Sequence, residues 1–206
     1  MPTVIFDVDG VLVDSLQAHW QFNLDQAKKH GVALKVNDVA IDINHEIKNV
    51  AAAPMAEFLR RAGFPDDIIP TVLKAYEDTF ADKYECKPFH GVADMLKTLC
   101  NRGVALGVVS SNTRRNVSKN LGRLSGYFQF AATLGDYPNK TAALTHAKQR
   151  FSWPLTFVGD MESDWSAAQS TNINFVGALY GWGIKEDEKR FVTVASVLEL
   201  QEYLLL

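Results

Sequence analysis

The stretch VIFDVDGVLVDS, residues 4–15, sets three carboxylates, Asp7, Asp9 and Asp14, directly behind an apolar run. If the chain is still extended at Asp7, residues two apart point to the same side, so Asp7 and Asp9 face one pocket. Two close carboxylates do not both ionise comfortably without help. A cation between them, or a proton on one, relieves the repulsion. An oxygen-rich site of this kind suits Mg²⁺, a hard ion that keeps waters and often binds substrate phosphate. A carboxylate that stays charged can be a nucleophile and form an acyl phosphate. Its neighbour can take and give a proton. The pair therefore fits metal-assisted phosphoryl transfer, and Gly10 lets the backbone turn sharply after it. An EF-hand loop counted from Asp7 needs Gly at its sixth position and Glu at its twelfth. Leu12 and Ala18 stand there, so that reading fails.

Three later stretches bring further candidates. VVSSN ends an apolar run at Ser110 and Ser111 ahead of a helix, where a hydroxyl and free backbone N–H groups can cradle phosphate. Lys140, after Pro138-Asn139, opens another helix and can balance phosphate and aspartate charge together. VGDMESD carries Asp160 and Asp164, four apart at a helix start and so on one side. That suits one metal ligand and one supporting acid. Each also has an ordinary structural reading: a capping serine, a solvated lysine, a capping aspartate. What distinguishes them is their joint position at strand ends or helix starts.

The elements that must bring them together are legible. Val4-Ile5-Phe6 reads as a buried strand, as do VALGVVS (104–110), FQFAAT (128–133), LTFVG (155–159) and INFVGAL (173–179). Helical spacing separates them: GVADMLKTLCNRG (91–103), TRRNVSKNLGRL, TAALTHAKQRF and SDWSAAQST. Helix and strand alternate from residue 91 on. The fold class is thus α/β, a doubly wound, Rossmann-like parallel sheet whose strand ends converge on one edge. Residues 16 to about 88 read as helices only, with no strand expected. This segment is domain-sized and leaves the sheet at its carboxyl edge. It is expected to be a helical cap domain over 16–88, with the catalytic core made of 1–15 and 89–206.

Composition limits the alternatives. The chain has 206 residues, 47% hydrophobic and 22% charged, with net charge −3. Nothing is basic enough for a nucleic-acid or acidic-membrane partner. No apolar run approaches the ~20 residues that span a bilayer, and no signal peptide is read. Cys86 and Cys100 form no CxxC or Cys/His cluster, so they read as reduced thiols rather than zinc ligands. A soluble, cytoplasmic protein is expected, monomer or homodimer. The run KEDEKR (185–190) reads as a solvated loop or helix face.

The sequence resembles the haloacid dehalogenase-like hydrolase superfamily across essentially its whole length. DVDGVLVDS looks like that family's first motif, VVSSN its second, Lys140 its third and VGDMESD its fourth. The helical insertion looks like its C1-type cap. The resemblance implies that Asp7 is the nucleophile and that Asp9 is the acid and base and gives its backbone carbonyl to Mg²⁺. It implies that Ser110, Ser111 and Lys140 hold phosphate, and that Asp7, Asp160 and Asp164 serve the metal. The founding dehalogenases lack the second aspartate, so Asp9 argues for phosphate chemistry over carbon–halogen cleavage. Two groups share these motifs, one phosphoglycolate phosphatase-like and one β-phosphoglucomutase-like. The stretch NHEIKNVAAAPM lacks the arginine-glycine pattern of mutase caps, which favours a phosphatase of a small phosphorylated metabolite. A phosphomutase, or a binding protein keeping the fold, is the alternative. His19, Trp20, Asn44, His45 and Lys48 are the candidate specificity residues. His19 can equally be a packed helix side chain.

Overall fold

The computed structural model describes residues 2–34, 55–151, 154–185 and 187–206. Val4, Ile5 and Phe6 are buried on both faces and form β1 (Thr3–Phe6) in the interior of a six-stranded parallel sheet. On one side of β1 stand β4 (Ala105–Val109) and β5 (Phe130–Ala132); on the other stand β6 (Leu155–Gly159), β7 (Asn174–Ala178) and β8 (Val192–Val194). The five strands expected from the sequence are all present, most of them trimmed at their ends. The edge strand β8 was not expected. It is three residues long, follows the charge run, and leaves Val192 exposed, so no apolar run marks it.

Alternation along each strand divides the core in two. Val4 and Phe6 of β1, Leu106 and Val108 of β4 and Val158 of β6 face α4 (Val92–Asn101), α5 (Arg114–Leu121) and α8 (Val197–Leu204). Ile5, Val109, Leu155 and Phe157 face α6 (Lys140–Arg150) and α7 (Glu162–Thr171). Burying each such side chain contributes about 1.5–3 kcal/mol. Asp7 continues the parity of Ile5 one step past the strand, so its carboxylate emerges on the α6/α7 side. Its amide still pairs with Val158, donating to that carbonyl at 2.8 Å.

The helices between β1 and α4 share a separate apolar cluster. α1 (Leu16–His30) supplies Trp20 and Phe22, α2 (Met55–Arg61) supplies Phe58 and Leu59, and α3 (Ile69–Lys83) supplies Val72, Tyr76 and Phe80. α1 ends at Gly31, whose φ of 66° closes the helix in the left-handed region that glycine favours. One expectation needs correction here. A strand does occur before residue 89: β3 (Lys87–Pro88) pairs antiparallel with β2 (Val13–Asp14), Val13 opposite Pro88 and Asp14 opposite Lys87. The two chain passages joining the helical cluster to the sheet thus hydrogen-bond to each other. Two-residue strands have no periodicity to read, which is why the sequence does not announce them.

Candidate active site

Four segments meet at the carboxyl edge of β1, β4 and β6. After Asp7 the chain folds into a tight turn in which the Val8 carbonyl accepts from the amides of Leu12 and Val13, both at 2.9 Å. Gly10 holds φ at 80°, and a Cβ there would overlap the Asp160 carboxylate. Glycine is required at this position by both backbone and space.

Asp7 is 5% exposed. Its Oδ1 accepts from the Val8 amide at 2.7 Å and its Oδ2 accepts from Lys140 Nζ at 2.6 Å. Lys140 Nζ also donates to Asp164 Oδ1 at 2.6 Å, so one ammonium bridges two carboxylates. Lys140 is the first residue of α6, which Asn139 caps by accepting from the Ala142 amide at 2.9 Å. Helix start and cap together aim the lysine at Asp7. Burial would lower the lysine's pKa, but Asp164 and Asp7 outweigh it and hold Lys140 above its usual value.

Asp164 is fully buried in the first turn of α7, where its Oδ2 accepts from the Met161 amide at 3.2 Å. It therefore caps its helix and serves the cluster at once. Asp160 follows β6 and accepts from the Trp182 amide at 2.8 Å through Oδ2. Its Oδ1 is buried with no hydrogen-bond partner. Oxygens of Asp7, Asp160 and Asp164 all lie within 4.8 Å of one another. Burial first, then neighbouring carboxylates, push Asp160 well above the ordinary carboxylate range. Burial lifts Asp7 to about 7, with Lys140 opposing. Three buried carboxylates, two of them sharing one ammonium and the third with an orphaned oxygen, form a donor set that fits a divalent cation.

Asp9 stands apart from this triad. Ser15 Oγ donates to its Oδ1 at 2.6 Å and Asn112 Nδ2 donates to its Oδ2 at 2.8 Å. Both carboxylate oxygens are thus fixed by neutral donors. The sequence had placed Asp7 and Asp9 at one pocket, and both do line one cavity of about 660 Å³. Their surroundings differ because the turn at Gly10 ends the strand's simple alternation.

Ser110 and Ser111 line the same cavity, Ser110 buried and Ser111 exposed. The helix beyond them begins where the stretch TRRNVSKNLGRL placed it. Thr113 caps α5 by accepting from the Asn116 amide at 3.2 Å, so Ser110 lies in the loop, its Oγ accepting from the Asn112 amide at 3.0 Å. His19 and Trp20, on α1, also line the cavity. The His19 ring stacks on Phe80 with centroids 4.6 Å apart and shares a 2.8 Å hydrogen bond with the Tyr76 hydroxyl. Burial holds this imidazole below its ordinary value despite the pull of Asp9. Asn44, His45 and Lys48 lie outside the described residues.

Sequence reasoning missed Ser15, Asn112 and Trp182. Asn112 sits inside the quoted VVSSN stretch, and only its bond to Asp9 gives it a part. Trp182 comes from the loop after β7, a strand end that could have been searched as the others were.

A family model for haloacid dehalogenase-like hydrolases matches residues 4–178. A phosphoglycolate phosphatase from Synechococcus elongatus is 28% identical over 201 residues, covering 90% of this chain and 87% of that protein. The tyrosine-protein kinase PtkA of Mycobacterium tuberculosis is 28% identical, covering 98% of this chain and 72% of that protein. Among solved structures, a haloacid dehalogenase-like family hydrolase from Streptococcus pneumoniae superposes with a TM-score of 0.81 at 20% identity, covering 98% of this chain and 97% of that one. With the motif order, the sheet topology and a family match spanning most of its length, the chain belongs to the haloacid dehalogenase-like hydrolase family.

Proposed function

We propose that the protein is a cytoplasmic, Mg²⁺-dependent phosphatase that hydrolyses a small phosphorylated metabolite through an aspartyl phosphate on Asp7. The reading rests on one observation: oxygens of Asp7, Asp160 and Asp164 lie within 4.8 Å of one another, with Lys140 bridging Asp7 and Asp164, while Asp9 is held by neutral donors. That arrangement separates two roles. Asp7 is anchored at both oxygens, which suits in-line attack on phosphorus. Asp9, oriented by Ser15 and Asn112, gives its proton to the leaving alcohol as the ester P–O bond breaks. Water, losing a proton to Asp9, then attacks phosphorus and releases inorganic phosphate and free Asp7. Lys140, Ser110 and Ser111 would bind the phosphoryl oxygens. Asp7, Asp160, Asp164 and the Asp9 backbone carbonyl would hold Mg²⁺. When bound, the ion offsets the charge of the carboxylates and the transferring phosphoryl group.

The helices of 16–88 form a cap over this edge in our reading, with 1–15 and 89–206 as the core. Closure would exclude bulk water from the acyl phosphate. The separate apolar cluster of α1–α3 and its β2/β3 tether support that division. The phosphoglycolate phosphatase name of the relatives supports phosphomonoester hydrolysis.

The test is phosphate release from a panel of phosphomonoesters, with Mg²⁺ and with chelator. Wild type should release phosphate only with metal, and Asp7→Asn should lose release entirely while folding normally. Undiminished turnover by Asp7→Asn would sink the covalent mechanism. Transfer to a sugar hydroxyl with no free phosphate would identify a mutase instead.

A further inference from the structure

The loop beyond β7 returns to the acidic site through Tyr180, Gly181, Trp182 and Gly183. The Tyr180 hydroxyl donates to the Val11 carbonyl at 3.1 Å, within the turn that follows Asp7 and Asp9. The Trp182 amide donates to Asp160 Oδ2 at 2.8 Å, and the Gly183 amide donates to the Asp160 carbonyl at 3.0 Å. One short segment thus holds the turn of the first motif together with the carboxylate and main chain of Asp160.

The fit is close. A Cβ at Gly181 would overlap the Asp160 side chain and stand 2.6 Å from the Gly10 carbonyl oxygen, and a Cβ at Gly183 would stand 2.7 Å from Met161 Sδ. Gly10 closes on the same carboxylate from its own turn. Little room is left for the buried Asp160 carboxylate to rotate, and its Oδ2 is committed to the Trp182 amide.

The Trp182 side chain points to different company. It packs against the separate apolar cluster of α1–α3 rather than the core beneath the sheet. Its ring meets His19 edge-on, with centroids 5.4 Å apart and planes at 88°. An aromatic ring brings a large apolar area on a short stem, so seating the ring also locates the backbone that carries it.

Resting on the Mg²⁺-dependent phosphatase reading, we infer that Trp182 is a positioning residue for the metal: its amide sets the Asp160 carboxylate, and its ring, seated on the helical cluster, sets the amide. Trp182 supplies no ligand of its own. Groups that hydrogen-bond to a metal's ligands orient those ligands, and losing one costs about 10–100-fold in metal affinity. Metal binding then depends on a ring contact with α1, and the helical and acidic clusters are linked through one residue.

The experiment is calorimetric titration of Mg²⁺ into the substrate-free protein, for wild type, Trp182→Leu, Trp182→Phe and Phe64→Leu. Trp182→Leu keeps the amide and an apolar side chain but removes the ring. Trp182→Phe restores a ring. Phe64 is buried in the same apolar cluster, so Phe64→Leu loosens that cluster at a position outside the loop. Trp182→Leu is expected to weaken Mg²⁺ binding about tenfold or more, and Trp182→Phe to stay within about threefold of wild type. Phe64→Leu should lower the thermal midpoint and leave Mg²⁺ affinity unchanged. Wild-type affinity in Trp182→Leu, a loss that Trp182→Phe does not restore, or an equal loss in Phe64→Leu would overturn the inference. Wild type that binds no Mg²⁺ overturns it together with the metal half of the proposed function. Affinities in the expected order, with no phosphate release from any phosphomonoester, defeat the phosphatase reading alone and leave Trp182 its positioning part.

Discussion

Lys140 is the side chain on which the acidic cluster turns. Asp7 and Asp164 share its ammonium at 2.6 Å each, and it is largely buried with them. Removing one partner from a buried ionic cluster leaves uncompensated charge and costs about 3–5 kcal/mol. Lys140→Met keeps the length and apolar stem and removes only the charge. The expected result is a lower thermal midpoint without Mg²⁺ and turnover reduced by about 10²–10³, the scale of losing one charge-stabilising donor. Unchanged kcat would show that the phosphoryl group does not depend on Lys140. Asp9 differs by its partners, Ser15 and Asn112, which supply hydrogen bonds and no charge. That contrast within one short motif is what separates nucleophile from acid–base in our reading.

At the scale of elements, α3 both packs within the helical cluster and pairs with α5 beside the sheet. Phe80 is fully buried, with its ring 4.6 Å from His19 and 4.7 Å from Tyr76. Two residues on, Asp82 is paired with Arg115 and Lys119 of α5. The two positions should respond very differently. Phe80→Ala removes a core aromatic ring and is expected to cost about 3–5 kcal/mol. Asp82→Asn removes exposed pairs, each worth about 0–1 kcal/mol and screened by salt. Urea unfolding of both variants checks this; comparable losses would mean the α3–α5 ion pairs carry far more than their exposure allows. The charge run at 185–190 behaves as exposed pairs do: Arg190 is bonded to Glu188 and Glu162 and lies over the Trp165 ring at 4.0 Å. A solvated loop or helix face was the expectation, and the partners of Arg190 were not legible.

For the whole molecule, the metal and the pH act on the same groups. Without metal, burial raises Asp7 from 3.8 to about 7, with Asp164 adding to the shift and Lys140 opposing it. The folded chain therefore keeps a proton that the unfolded chain has already lost over that window. Stability falls as pH rises through it and levels off above about 7. Asp160, also raised, acts in the same direction. A divalent ion binds the deprotonated carboxylates, so its stabilisation should grow as pH rises. Chelated protein is expected to melt lower at pH 8 than at pH 6, and Mg²⁺ to raise the midpoint more at pH 8. Equal Mg²⁺ shifts at the two pH values would mean the ion does not compete with protons at this cluster.

Much of the sheet and the identity of the acidic residues followed from the sequence alone. Buried strands write themselves as unbroken apolar runs such as LTFVG, and paired carboxylates after such runs have few stable explanations without a cation. Glycine at position 10 could be read for its turn. The tertiary structure decided what spacing does not encode. It joined Lys140 to Asp7 across 133 positions and Asn112 to Asp9 across 103, contacts made by strand order and helix starts rather than by local pattern. It brought Trp182, from a loop with no motif, against Asp160. It also paired β2 with β3, where two residues on each side are too few to show a period. Local chemistry is written in neighbouring residues; which distant groups share one buried volume is set only when the sheet closes and its helices pack.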